Sequence, residues 1–229
     1  YTYPVPKQCP NCESDDIRPY GYGTEKIEEK IMELFPGVPV ARMDLDTTRS
    51  RNAYERIIND FSAGRTKILI GTQMISKGLD FDHVRVVGIL NADSMLNIPD
   101  FRAYEHAFTM MSQVAGRAGR KGKRGLVILQ TKDVEQPVIK QVVDNNWRDF
   151  YSLMLAERSL FHYPPFYRLI YVYLKHKDED RVDTAALEMG GRLRQWFGAR
   201  VLGPDKPSVS KVRTLFIRKI MLKLEAGID

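Results

Sequence analysis

Residues 67–90 read KILIGTQMISKGLDFDHVRVVGIL. The two continuous apolar runs at its ends, KILIG and VRVVGIL, suit strands covered on both faces rather than strands with one wet side. Upstream, Tyr54, Ile57, Ile58 and Phe61 form a helical apolar stripe between a cap at Ser50 or Thr48 and a terminating Gly64. Downstream, Phe101, Tyr104, Phe108, Met111 and Ala115 mark the buried side of a longer helix that starts at Asp100. Farther out, Ile27, Ile31, Leu34 and Phe35 predict a helix capped by Thr24 and ended by FPG. VPVARMD reads as a short strand, GLVILQ as another buried strand, and Pro137–Asn145 as a further helix. Helices alternating with two-sided strands predict an α/β domain on a parallel sheet, over residues 21–155.

The flanks differ. Residues 1–20 hold four prolines and no apolar period, and read as an irregular arm. The composition shifts at RSLFHYPPF, and residues 156–229 predict a second, small α/β domain. In it FYRLIYVYL is a strand, Asp178–Phe197 a helix, and KVRTLFIRKIMLKL one more strand. Along that last strand Val212, Thr214, Phe216, Ile220 and Leu222 share one face, and Lys211, Arg213, Lys219 and Lys223 the other.

Lys and Arg total 35 against 29 Asp and Glu, a net charge of +6. The clustering matters more than the sum. Gly116–Gly125 carries five basic residues and no acid, and Lys206–Leu224 six and no acid; both would attract phosphate. No apolar run approaches the roughly 18 residues of a membrane span, and no secretory signal opens the chain. Two cysteines are too few for a disulfide scaffold, which points to a reducing, cytoplasmic setting. The chain opens at Tyr1 rather than at a methionine, and reads as a piece of a longer protein.

Three stretches carry candidate chemistry. Thr72 and Gln73 sit at the carboxyl end of a parallel strand, where ligands of such sheets bind. Thr72 suits a backbone phosphate, and Asp80 a ribose hydroxyl. In SQVAGRAGRKGKRG, residues 112–125, a helix continued from Asp100 would align Gln113, Arg117 and Arg120 at i, i+4 and i+7. Gly116 and Gly119 would open room between guanidinium forks that match phosphate oxygens; the competing reading is a solvated basic loop. Cys9 and Cys12 in CPNC are half of a zinc site, an incidental pair or a redox pair. None of His83, His106, His162 and His176 stands at a partnering distance in sequence.

Other features are ambiguous or absent. Phe161, Tyr163, Phe166 and Tyr167 either stack on bases or pack between domains. The face of Lys211, Arg213, Lys219 and Lys223 either meets DNA or is merely solvated. No GxxxxGK[ST] loop occurs, and the acids of KHKDEDR read as a helix start rather than a Walker B box.

ILIGTQMISKGLDF and VAGRAGR resemble motifs V and VI of superfamily 2 helicases. With DFRAYEHAF, CPNC ahead of GYGTEKIEE, FPGVPVARMDLDTT, RSLFHYPPF and a late VLGP, the chain is similar over nearly its whole length to the PriA-type family of bacterial replication-restart helicases. The resemblance implies a second RecA-like motor lobe, the tail of a zinc-binding insertion and much of a C-terminal domain. It implies a 3′→5′ DNA helicase driven by ATP with Mg2+.

The resemblance also assigns roles. Arg120 would be the arginine finger, Arg117 its phosphate-binding neighbour, and Gln113 would position the γ-phosphate or the attacking water. Asp80 would face the nucleotide or couple to motif VI, with Gly78, Gly116 and Gly119 beside it. Thr72 and Gln73 would grip DNA, Gly23 and Thr24 would touch it, and Lys211, Arg213 and Lys219 would add a DNA-facing surface. Cys9 and Cys12 would ligate Zn2+ with further cysteine pairs. Partners implied are forked and single-stranded DNA, other primosome proteins and single-stranded-DNA-binding protein, with no membrane. Without a phosphate loop, hydrolysis would require an N-terminal lobe. The alternatives are another superfamily 2 repair or fork-reversal helicase, and a non-catalytic DNA-binding or primosome-docking module.

Overall fold

The computed structural model describes residues 7–9, 12–15, 23–72, 81, 83–119 and 125–227. The chain divides into two compact units, Tyr1–Asn145 and Asn146–Asp229. The boundary read at 155/156 falls inside a continuous helix, Trp147–Leu160, which goes with the second unit.

In the first unit, α1 (Thr24–Leu34), β1 (Val40–Met43), α2 (Arg51–Ser62) and β2 (Ile68–Gly71) are followed by β3 (Val86–Ile89), α3 (Asp93–Leu96), α4 (Ala103–Ala115), β4 (Leu126–Leu129) and α5 (Pro137–Val143). β1 pairs with β2 in parallel, Val40 opposite Ile68 and Met43 opposite Gly71. β3 pairs with β4 in parallel, Val86 opposite Leu126. Parallel neighbours need a crossover, and α2 and the α3–α4 pair provide them. This is the α/β parallel arrangement predicted from the alternation. Ser50, not Thr48, caps α2 by accepting from the Ala53 N–H at 3.2 Å.

The apolar stripe of α2 is the core stripe. Tyr54, Ile57, Ile58 and Phe61 pack with Leu69 and Val84 on buried Met43 and Phe81. Phe61 and Phe81 meet edge to face, 4.7 Å between centroids at 89°. On the other helix, Ala103, Ala107, Phe108 and Met111 of α4 are buried.

Three expectations fail in this unit. Among the described residues β1–β2 and β3–β4 are separate two-stranded ladders, not one hydrogen-bonded sheet. β3 and β4 are not covered on both faces: Val86, Leu126, Val127 and Ile128 are exposed. Their apolar continuity signals buriability and not burial within this chain. Thr24 does not cap α1; Gly23 holds that position without a side-chain bond, because the Thr24 hydroxyl is committed to Asp44.

The second unit runs α6 (Trp147–Leu160), β5 (Tyr167–His176), α7 (Glu179–Phe197), β6 (Val201–Asp205), β7 (Lys211–Val212) and β8 (Leu215–Glu225). The strands are antiparallel in the order β5-β8-β6, with β7 also on β8. Asp178 caps α7 by accepting from the Arg181 N–H at 3.2 Å, so KDED is indeed a helix start. Val182, Ala186 and Gly190 of α7 are buried, as are Val201, Ile220 and Leu222 of the sheet. Sequestering a side chain such as Ile220 contributes about 2 kcal/mol.

KVRTLFIRKIMLKL is not a single strand. Val212 pairs with Leu215 across a turn at Arg213 and Thr214, and Arg213 has φ +54°. The hairpin interrupts the alternation, so the predicted basic face breaks up. Lys211 pairs with Phe216 and its ammonium lies 4.1 Å over that ring, on the side of the sheet opposite Lys219 and Lys223. Arg218, amid these lysines, is 3% exposed and bridges to Asp183 and to Glu179 of α7, the latter at 2.8 Å.

Candidate nucleotide and nucleic-acid interface

The first unit carries its candidate residues at strand ends. Asp44 follows β1, beside the point where β2 ends at Gly71 and exposed Thr72 begins. It is buried, and it accepts from the Thr24 hydroxyl at 2.5 Å and from the N–H groups of Asp46 and Thr47, each at 3.0 Å. Arg42 Nε stands 3.3 Å from Asp44 and 3.4 Å from Glu28. The Thr24 hydroxyl foremost, then the Thr47 donors and the Arg42 charge, hold the carboxyl down at about 2 against the opposing effect of burial. Asp44 thereby fixes the start of α1, with Gly23 and Thr24, at the carboxyl end of the β1–β2 ladder. Sequence reasoning missed it, although the spacing Asp44, Thr47, Thr48 after a strand is the signature of a side chain capping its own turn.

The arginine loop lies elsewhere. α4 ends at Ala115, and Arg117 and Ala118 continue in a tight turn through N–H bonds to the carbonyls of Val114 and Ala115, at 3.0 and 3.1 Å. Arg117 therefore does not continue the helical line from Gln113, which is exposed in the last turn. Gly119, at φ +72°, donates to the Val84 carbonyl at 3.1 Å, just before β3. A Cβ on Gly125 would collide with the backbone of Ala118 and Gly119. These two glycines close the loop on itself. The close approach that Gly119 and Gly125 make is to the chain's own backbone. Gly116 has φ −64° and no such demand.

Arg117 is half-buried, at the amino end of β3 and β4. Thr72 follows the carboxyl end of β2. Among the described candidates, Thr72 thus stands at the carboxyl end of its strand and Arg117 beside the amino ends of β3 and β4. Gln73, Gly78, Asp80 and Arg120 lie outside the described residues, while Phe81, directly after Asp80, is buried in that core.

Cys9 and Cys12 sit in a small turn, where Cys9 N–H donates to Ser14 O and Glu13 N–H to Cys9 O, both at 2.9 Å. Among the described residues no group of three or more His, Cys, Asp or Glu is placed to hold a metal. Two thiolates fall short of the four ligands of a structural zinc, so the described residues do not make up a zinc site. Among the described residues no helix is long and apolar enough to cross a membrane.

In the second unit, Lys219 and Lys223 each lie over a tyrosine, Tyr171 at 5.3 Å and Tyr163 at 3.8 Å. Lys223 also donates to the Phe161 carbonyl at 2.7 Å, and burial lowers its pKa. Tyr167 pairs with His162 at 4.4 Å, while Phe161 and Phe166 are exposed.

Residues 19–122, which hold the parallel α/β elements and the glycine-arginine loop, match the helicase conserved C-terminal domain family. Over 222 residues the chain is 38% identical to the replication restart protein PriA of Bacillus subtilis, covering 96% of this chain and 28% of that protein. The PriA of Treponema pallidum is 41% identical over 220 residues, with 95% and 33% covered. That of Chlamydia pneumoniae is 42% identical over 167 residues, with 72% and 22% covered. The C-terminal domain of the DEAD-box protein Dbp5 overlaps 57% of this chain and 73% of its own at a TM-score of 0.39 and 19% identity, a distant match that adds nothing to the assignment. The chain belongs to the PriA family of superfamily 2 helicases. It spans a third or less of the length of these curated relatives.

Proposed function

We propose that this chain supplies the second motor lobe of an ATP-dependent DNA helicase working 3′→5′ in replication restart and primosome assembly. The observation that carries this reading is the Gly119–Val84 bond. It ties the turn that bears Arg117 to Val84, just ahead of β3, which supports an arginine loop carried by the same unit as Thr72.

ATP with Mg2+, held mainly by another lobe, supplies the phosphoryl group whose loss resets the motor. From this chain, Arg117 and Arg120 offer planar forks to phosphate oxygens, and Gln113 orients the γ-phosphate or the water. At the opposite strand ends, Thr72 donates to a DNA phosphate, with Gln73 beside it. The Thr24 hydroxyl hydrogen is committed to Asp44, so Thr24 and Gly23 meet phosphate through the open first turn of α1. Separate ends suit a motor, in which hydrolysis at one edge must alter grip at another. Forked and single-stranded DNA are the substrates of this reading. Primosome proteins and single-stranded-DNA-binding protein are its partners.

The test joins the chain to its N-terminal lobe and measures DNA-stimulated ATP hydrolysis. Arg120→Ala should lower the rate by about a thousandfold or more while thermal unfolding stays unchanged. An unchanged rate removes the finger assignment, and hydrolysis by the 229-residue chain alone removes the division of labour. Intact restart activity after replacing both Arg117 and Arg120 would favour the docking-module reading instead.

A further inference from the structure

We infer that the free edge of β5 receives an extended peptide segment as a further strand of the second unit's sheet, and that this segment is apolar in its middle and acidic at both ends. The inference draws only on the sheet, so its failure and that of the motor reading are independent.

β5 is ten residues long and, among the described residues, pairs with β8 alone, in unbroken register from Tyr167 opposite Glu225 to His176 opposite Phe216. In an antiparallel ladder every second residue turns its N–H and C=O away from the neighbouring strand. The outer side of β5 is therefore a row of backbone donors and acceptors, which templates another strand. Side chains leave this edge open on both sides of the sheet. Ile170 shares the α7 side with Val172 and Leu174 and is 45% exposed, and Tyr173 on the other side is 52% exposed.

The two rims of the sheet differ. β6, at the far rim, has five residues, contains Pro204 and shifts register between Leu202 and Asp205. Shortness, proline and irregularity are the devices by which an edge refuses a further strand. β5 has none of them. Its centre, LIYVYL at residues 169–174, holds no proline, glycine or charge, and aliphatic and aromatic residues of this kind favour pairing.

The charges choose the occupant. Exposed Arg168 stands at one end of that apolar centre and exposed Lys175 at the other. The acids close to these ends are taken: Asp178 caps α7, and Glu225 is held by the Arg200 fork at 2.8 Å. A second copy of β5 laid antiparallel on the first would bring Arg168 of each copy to the Lys175 end of the other, cation against cation at both ends. Like charges across strands destabilise, and opposite charges stabilise. A segment with acids at both ends meets both cations, while backbone bonds to β5 supply sequence-tolerant affinity.

The experiment uses the whole chain and a labelled peptide of alternating valine and threonine flanked by two aspartates at each end. It should bind and slow amide exchange in β5. The same peptide with lysines at its ends should bind about tenfold more weakly, and N-methylation of alternate amides on its pairing edge should abolish binding. Arg168→Glu combined with Lys175→Glu, both at exposed positions, should reverse the preference in favour of the lysine-ended peptide. No binding at millimolar peptide, full binding by the N-methylated peptide, or a preference that survives the charge reversal would each overturn the inference. Sedimentation should show a monomer. A dimer whose β5 amides are protected would place a second copy on the edge and overturn the choice of occupant.

Discussion

Replacing Asp44 with asparagine isolates one charge whose contribution the structure lets us work out. The carboxyl is held at about 2 rather than 3.8, first by the Thr24 hydroxyl. At about 1.36 kcal/mol per pKa unit, folding favours the ionised form by about 2 kcal/mol. The folded pKa lies below the unfolded one. The stabilisation is therefore complete above about pH 5 and is lost as pH falls through 3.8 towards about 2. Asp44→Asn should thus cost about 2 kcal/mol at neutral pH, and the gap to the parent should close as the pH approaches about 2. Both tryptophans, Trp147 and Trp196, lie in the second unit, so tryptophan fluorescence would miss the event. Amide hydrogen exchange of α1 and β1 reads it directly. A gap of equal size at pH 3 and pH 7 would refute the reasoning, because it would assign the cost to packing and not to charge. Thr24→Val should reproduce much of the neutral-pH loss.

Other perturbations test the remaining framework. Glu179→Ala with Asp183→Ala strands the buried Arg218 guanidinium and should cost about 3–5 kcal/mol in urea unfolding. Arg218→Met should cost clearly less, since the two acids it leaves are about 40% exposed and stay hydrated. Gly125→Ala should destabilise by about 1–3 kcal/mol and should lower hydrolysis in the joined enzyme, because it pushes the arginine loop off the β3 edge.

The elements themselves were legible. Period-3.6 stripes such as Tyr54, Ile57, Ile58 and Phe61 located helices, and short apolar runs located β1 to β4 and β5, because both signals are local. What failed depended on contacts far apart in sequence. The exposure of β3 and β4 cannot be read from their own residues, which only say that they are fit to be covered. The hairpin at Arg213 went unseen because neither Arg213 nor Thr214 announces a turn, and one missed turn inverted the side assigned to Lys211. Likewise GRAGR stands out as a glycine-arginine motif, but what Gly119 faces is fixed by Val84, thirty-five residues away. Asp44 was passed over because an acid before threonines resembles any polar loop until its burial is known.

The absence of a hydrogen-bonded ladder between β1–β2 and β3–β4 among the described residues has a mechanical meaning. Phe81 and Val84, on the approach to β3, pack on Met43 and the α2 stripe, so the chain leading into the second ladder meets the first through apolar side chains. Such a seam yields in shear at small cost, whereas a continuous sheet would resist. Any yielding between the two ladders would therefore fall on side-chain packing rather than on ladder hydrogen bonds.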